Sequence, residues 1–113
     1  MNIQIFGRKK CFDTKKAERY FKERGIKYQS INIDKYGMSK GEYQSVKAAV
    51  GGMAPLFDEN SKEYENQYIK HLAHDDDKEE RLLSHPTMFR TPIVRNGKNA
   101  SVGYAPEIWE TWE

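Results

Sequence analysis

Cysteine is almost absent from the 113-residue chain: Cys11 is the only one. That excludes an internal disulfide, so any redox chemistry of this thiol needs a partner molecule. Long hydrophobic runs are missing as well, and nothing approaches the roughly 20 apolar residues that a membrane-spanning helix requires. The opening MNIQIFG reads as a short strand, not as a charged segment leading into a long apolar one. No secretory leader is therefore expected, and the expected compartment is the cytoplasm. Neither sign of charge dominates: 19 Lys+Arg against 17 Asp+Glu leave a net +2. So balanced a surface gives no ground for a membrane or a direct nucleic-acid partner. Repeats, linkers and low-complexity tracts are also lacking, and one domain over residues 1–113 is expected.

What is present is a clear alternation of periods. IQIF (3–6) is a short apolar run closed by Gly7, and KYQSINI (27–33) is a second β-rich run. Between them Ala17, Tyr20 and Phe21 recur at i, i+3, i+4 and Gly25 stands as a stop, which predicts an amphipathic helix over about 14–24. A helix of that length between two strands suits a right-handed crossover with the strands parallel. The middle of the chain predicts helices instead. Tyr43, Val46, Ala49 and Val50 follow a Ser39 N-cap and precede Gly51-Gly52; Tyr64, Tyr68, Ile69 and Leu72 form a second stripe; DKEERLLSH offers a third helix after the turn Asp75–Asp77. FRTPIVRNGKNASVGY then predicts a hairpin at Asn96-Gly97, and Pro106 opens a final helix with Ile108, Trp109 and Trp112 on one side.

The order β-α-β, helical insert (about 39–85), β-β-α is an α/β arrangement on the thioredoxin-like (glutaredoxin-like) plan. Cys11 falls between the first strand and the first helix. There the unpaired N–H groups of the helix start favour a thiolate. Lys9, Lys10, Lys15 and Lys16 act in the same direction, and Asp13 opposes them. The alternative is an inert buried thiol.

CFDTKKAERYFKERGIKYQSINI, followed by TPIVRNGKNASVGY, resembles the arsenate reductase-related (ArsC/Spx-like) family of thioredoxin-fold proteins. That family includes glutaredoxin-coupled arsenate reductases and Spx-type transcription regulators. The resemblance implies Cys11 as nucleophile with Lys15 stabilising the charge, and Thr14, Arg90, Thr91 and Pro92 around a small oxyanion or disulfide substrate. It implies a cis-proline at Pro92, for which a plain strand-edge proline is the alternative. No resident cofactor is implied; glutathione would be the co-substrate, with glutaredoxin or thioredoxin as reducing partner. An Spx-like regulator that binds RNA polymerase is the competing reading.

Several departures bear on activity. The family's reductases draw anion-binding arginines from the central segment and from the position before the strand-three proline. Here no arginine lies between Arg24 and Arg81, Thr91 precedes Pro92, and none follows Arg95. Lys15 offers a point charge where a planar fork would bind a dianion in two places. A dithiol cycle would need a second cysteine at position 14, and the phosphatase-type loop an arginine at position 17; Thr14 and Ala17 occupy those places. His71 and His74 beside Asp75–Asp77 have the composition of a metal site, but a solvated helix end accounts for them and no metal is expected.

Overall fold

Alternation along the first strand divides the molecule into two layers. Ile3 and Ile5 point to one face of the sheet and Phe6 to the other, and each face carries its own apolar cluster. In the computed structural model, which describes residues 1–112, four strands form one mixed sheet in the order β2-β1-β3-β4. These are β1 (Ile3–Gly7), β2 (Tyr28–Asn32), β3 (Ile93–Asn96) and β4 (Asn99–Val102). β1 and β2 run parallel, with Ile3 opposite Tyr28, while β1–β3 and β3–β4 are antiparallel. This is the expected α/β, thioredoxin-like arrangement.

The parallel pair is joined by helix α1 (Phe12–Glu23), whose buried residues Thr14, Ala17, Tyr20 and Phe21 lie three or four apart. It covers the Ile3/Ile5 face together with α6 (Pro106–Trp109). Trp109 is the centre of that layer. It is buried, packs edge-on against Tyr20 at 5.0 Å, and donates its indole N–H to Ser101 Oγ at 2.7 Å. Ile108, expected beside it, is exposed, because α6 is a single turn that continues as a 3-10 turn over Glu110–Trp112.

The opposite face is covered by helices between β2 and β3: α2 (Ile33–Tyr36), α3 (Lys40–Val50), α4 (Lys62–Asn66) and α5 (Asp75–Ser84). The insert begins earlier than position 39, since the Asn32 side chain accepts from Asp34 N–H and starts α2 directly after β2. Ser39 caps α3 in a reciprocal capping box with Glu42, and Gly51 closes it with φ 84°. The stripe Tyr64–Leu72 is not one helix. α4 ends at Asn66, Tyr68 takes a left-handed φ of 54°, and a separate 3-10 turn follows over Ile69–His71. Tyr64 and Ile69 are thereby buried, and Tyr68 is left exposed. Asp75–Asp77 form the first turn of α5 and not a loop before it, the end at which a helix favours negative charge.

The hairpin is present, with Asn96 paired to Asn99 and Gly97-Lys98 as its two-residue loop. Gly97 has φ 59°, as the first loop position of such a turn demands. Among the described residues, no helix is long and apolar enough to cross a membrane.

Candidate active site

Three chain segments meet at Cys11. It is the N-cap residue of α1, with extended backbone (φ −89°, ψ 114°), held by its own N–H to Arg8 C=O at 3.1 Å. The third segment is the connection into β3. The Thr91–Pro92 bond is cis, as the resemblance implied, and the Cys11 thiol donates to Thr91 C=O at 3.6 Å. Thr91 and Pro92 are buried, whereas Cys11 is only partly so.

Close approach of α1 to β1 depends on Gly7. A Cβ at that position would stand 2.2 Å from Thr14 Cγ2 and 2.7 Å from Thr14 Oγ1. The missing side chain lets Thr14 sink against the strand directly beneath the helix start. Thr14 Oγ1 is buried with no hydrogen-bond partner among the described residues, and its hydroxyl favours the Cys11 thiolate.

The thiol is more acidic than an ordinary cysteine. Burial pushes it up, but hydrogen bonds from the hydroxyls of Thr14 and Thr91, then from the N–H groups of Thr14 and Asp13, more than offset this. The helix-start N–H groups act in the expected direction, and the two threonine hydroxyls act with them. Lys15 is exposed, with Nζ 5.9 Å from the centre of the exposed Phe12 ring. With Arg8, Lys9, Thr14, Asn32 and Tyr36 it lines an open groove of about 500 Å³ on the β2 side of α1.

Arg90 is exposed and lies on the other side. Its guanidinium reaches Gly103, coming 3.8 Å from where a Cβ would stand there, and Gly103 N–H donates to Pro92 C=O at 2.8 Å. Cys11, Thr14, Thr91 and Pro92 are thus brought together, with Lys15 and Arg90 on opposite flanks. In the sequence Arg8 stands only as the first member of the basic run before Cys11, and the structure gives it a further role. Its Nε and one terminal nitrogen bind the Asp34 carboxylate at 2.9–3.1 Å, the same terminal nitrogen reaches Pro86 C=O (3.3 Å), and the other reaches Phe89 C=O (2.9 Å) and Thr91 Oγ1 (3.4 Å). These partners lie 26 to 83 positions away, so no local motif could have signalled them. Among the described residues, no group of three or more His, Cys, Asp or Glu is placed to hold a metal ion.

A thioredoxin-like sheet with one acidified cysteine at the start of its first helix and a cis-proline opposite defines a class of thiol-bearing proteins. Within that class the chain belongs to the ArsC family, whose family model matches residues 6–112. It is 29% identical over 109 residues to the global transcriptional regulator Spx 2 of Oceanobacillus iheyensis, covering 92% of this chain and 78% of that protein. An arsenate reductase from Vibrio cholerae superposes with a TM-score of 0.84 at 21% identity, covering 96% of this chain and 94% of the other. An arsenate reductase-related protein from Brucella melitensis gives 0.69 at 21% identity, covering 99% and 94%. At such identities the superpositions speak for the fold.

Proposed function

We propose that the protein is a single-cysteine thiol oxidoreductase of the arsenate reductase-like type. The observation that carries this is a partly exposed Cys11 whose thiolate is favoured by two hydroxyls and two helix-start N–H groups. In this reading the Cys11 thiolate attacks one sulfur of a disulfide, forming a mixed disulfide and expelling the other half as a thiolate that takes up a proton. A second thiolate, supplied by glutathione, glutaredoxin or thioredoxin, then attacks the mixed disulfide and returns Cys11 as thiolate. Lys15 stabilises the charge at the helix start, while Thr91, Pro92 and Arg90 line the substrate's approach. No resident cofactor takes part, and one domain working in the reducing cytoplasm suits a lone thiol.

The test is mass spectrometry of the purified protein after oxidised glutathione alone and after arsenate with reduced glutathione. A glutathione adduct on Cys11, absent from Cys11→Ser, is expected in the first arm. An unmodified Cys11 there would overturn the proposal.

The similarity to a transcriptional regulator favours a second reading, a docking protein for RNA polymerase that works without a redox switch. The lack of a second cysteine in the position of Thr14 is why the switch would be missing. Retention on immobilised polymerase subunits that is unchanged in Cys11→Ser would favour it over thiol exchange.

A further inference from the structure

We infer that Arg8 is the positioning residue of the thiol site, acting on Cys11 through Thr91. This deepens the thiol-exchange reading and rests on it for its purpose, though not for its test. Arg8 leaves the end of β1 with its side chain largely covered, and its guanidinium joins α2 to the segment leading into β3. One edge grips the Asp34 carboxylate on α2 through two nitrogens. The other reaches Pro86 C=O and Phe89 C=O, which bracket the 3-10 turn Pro86–Met88 leading into β3.

The contact with Thr91 itself has a chemical consequence. A guanidinium has only donors, so its N–H at 3.4 Å from Thr91 Oγ1 must use an oxygen lone pair. The hydroxyl hydrogen cannot point back at Arg8 and is left for another acceptor. The Thr91 C=O in turn receives the Cys11 thiol at 3.6 Å, and the Thr91 hydroxyl favours the thiolate. Asp34, Arg8, Thr91 and Cys11 are thus linked by successive contacts: Arg8 bonds both the Asp34 carboxylate and Thr91 Oγ1, and Thr91 C=O meets the Cys11 thiol.

Other charged groups lie close in the chain or on the adjoining segment: Lys9 and Lys10 on the preceding loop, Asp13, Lys15 and Lys16 on α1, and Arg90 before β3. Arg8 differs in joining Asp34, Pro86, Phe89 and Thr91 through one planar fork, and a lysine, with one point charge in its place, cannot replace it.

The experiment measures the rate of Cys11 alkylation by iodoacetamide against pH in the wild type, Arg8→Gln, Arg8→Lys, Thr91→Val and the Arg8→Gln/Thr91→Val double variant. Folding of each is checked by circular dichroism. The expected result is an upward shift of the midpoint in Arg8→Gln and an equal one in Arg8→Lys, with the double variant matching Thr91→Val alone. Should Arg8→Gln fail to fold, Asp34→Asn keeps the guanidinium but loosens its anchor, and a smaller upward shift is expected. An unchanged midpoint in folded Arg8→Gln or Asp34→Asn would overturn the inference. So would a wild-type midpoint in Arg8→Lys, which would mean that charge alone suffices, or additive shifts in the double variant. The readout needs no substrate, so the thiol-exchange reading can fail while Arg8 keeps its role, and the reverse.

Discussion

The Thr14 and Thr91 hydroxyls favour the Cys11 thiolate against the burial that opposes it, and this makes Thr14 the residue to change first. Thr14→Val keeps the shape that fills the space over Gly7 and removes only the hydroxyl that serves the sulfur. The alkylation midpoint is expected to rise and the rate at neutral pH to fall, while Thr14→Ser keeps both near wild type. A hydrogen bond to a charged group is worth about 1.5–3 kcal/mol when shielded. Cys11 is only partly buried, so the loss should fall below that range. The same thiolate links acidity to stability. Its native pKa is depressed, so the stability it adds is full above the free-thiol value of about 8.5 and is lost as the pH falls through the native value. Denaturant melts of wild type and Cys11→Ser across that alkaline window should therefore diverge as pH rises. Parallel curves would refute the hydrogen-bonded thiolate.

At the scale of elements, the packing of α1 on β1 and of α3 on α5 can each be broken by one atom group. Gly7→Ala would drive a methyl group into Thr14, and overpacking of this kind costs about 1–3 kcal/mol. A lower urea midpoint at unchanged slope is expected, together with a raised thiol midpoint as the helix start is pushed away. Between α3 and α5, the Tyr43 hydroxyl donates to Glu79 Oε2 at 2.6 Å and Lys47 Nζ meets the same oxygen at 2.7 Å. Glu79→Ala strands the Tyr43 hydroxyl, a loss of about 1–3 kcal/mol, whereas Tyr43→Phe removes donor and demand together and should cost less. Lys47 and then Tyr43 hold the Glu79 carboxyl below its usual range, so this clamp stabilises above about pH 4.3 and weakens as pH falls through the depressed value. Acid titration of the two variants' stability tests both statements. Legibility in the sequence followed locality. The Ser39–Glu42 capping box, the Gly97 hairpin and the Ala17/Tyr20/Phe21 stripe are signals within a few residues and could be read directly. Tyr68 was misread because its left-handed backbone breaks a stripe whose spacing alone looks helical. Arg8 was legible only as one charge of a basic run, because its bonding role exists only once Asp34, Pro86, Phe89 and Thr91 have been folded around it.

Across the whole molecule, the arginines that an arsenate dianion would need are engaged elsewhere. Arg8 is spent on Asp34 and the connection into β3; Arg19 pairs with Glu23 at 2.7 Å; Arg24 lies 3.7 Å over the Tyr20 ring. Arg81 binds Gln67 C=O at 3.1 Å, and Arg95 binds Gln4 Oε1 at 2.9 Å on the sheet. Among the described residues only the Arg90 guanidinium is near the site without a hydrogen bond or ion pair of its own, and it sits toward Gly103, across from Lys15. One arginine and one exposed lysine on opposite flanks can draw an anion in, but they do not fix a dianion for in-line attack by sulfur. Each charge-assisted hydrogen bond missing from such a clamp is worth about 1.5–3 kcal/mol, so two or three missing bonds remove several powers of ten in rate. Thiol–disulfide exchange asks for less: an accessible thiolate and a linear approach to a sulfur–sulfur bond. The expected outcome is therefore a Cys11–glutathione adduct with oxidised glutathione, and weak or absent arsenate turnover in the presence of glutathione and glutaredoxin. Robust arsenate reduction that vanishes in Cys11→Ser would contradict this, and single substitutions of Lys15, Arg90 and Arg95 would then show which cation completes the anion site. If arsenate turnover is instead only weak, Arg90→Ala should abolish what remains while leaving the glutathione adduct intact, because only the dianion depends on that guanidinium.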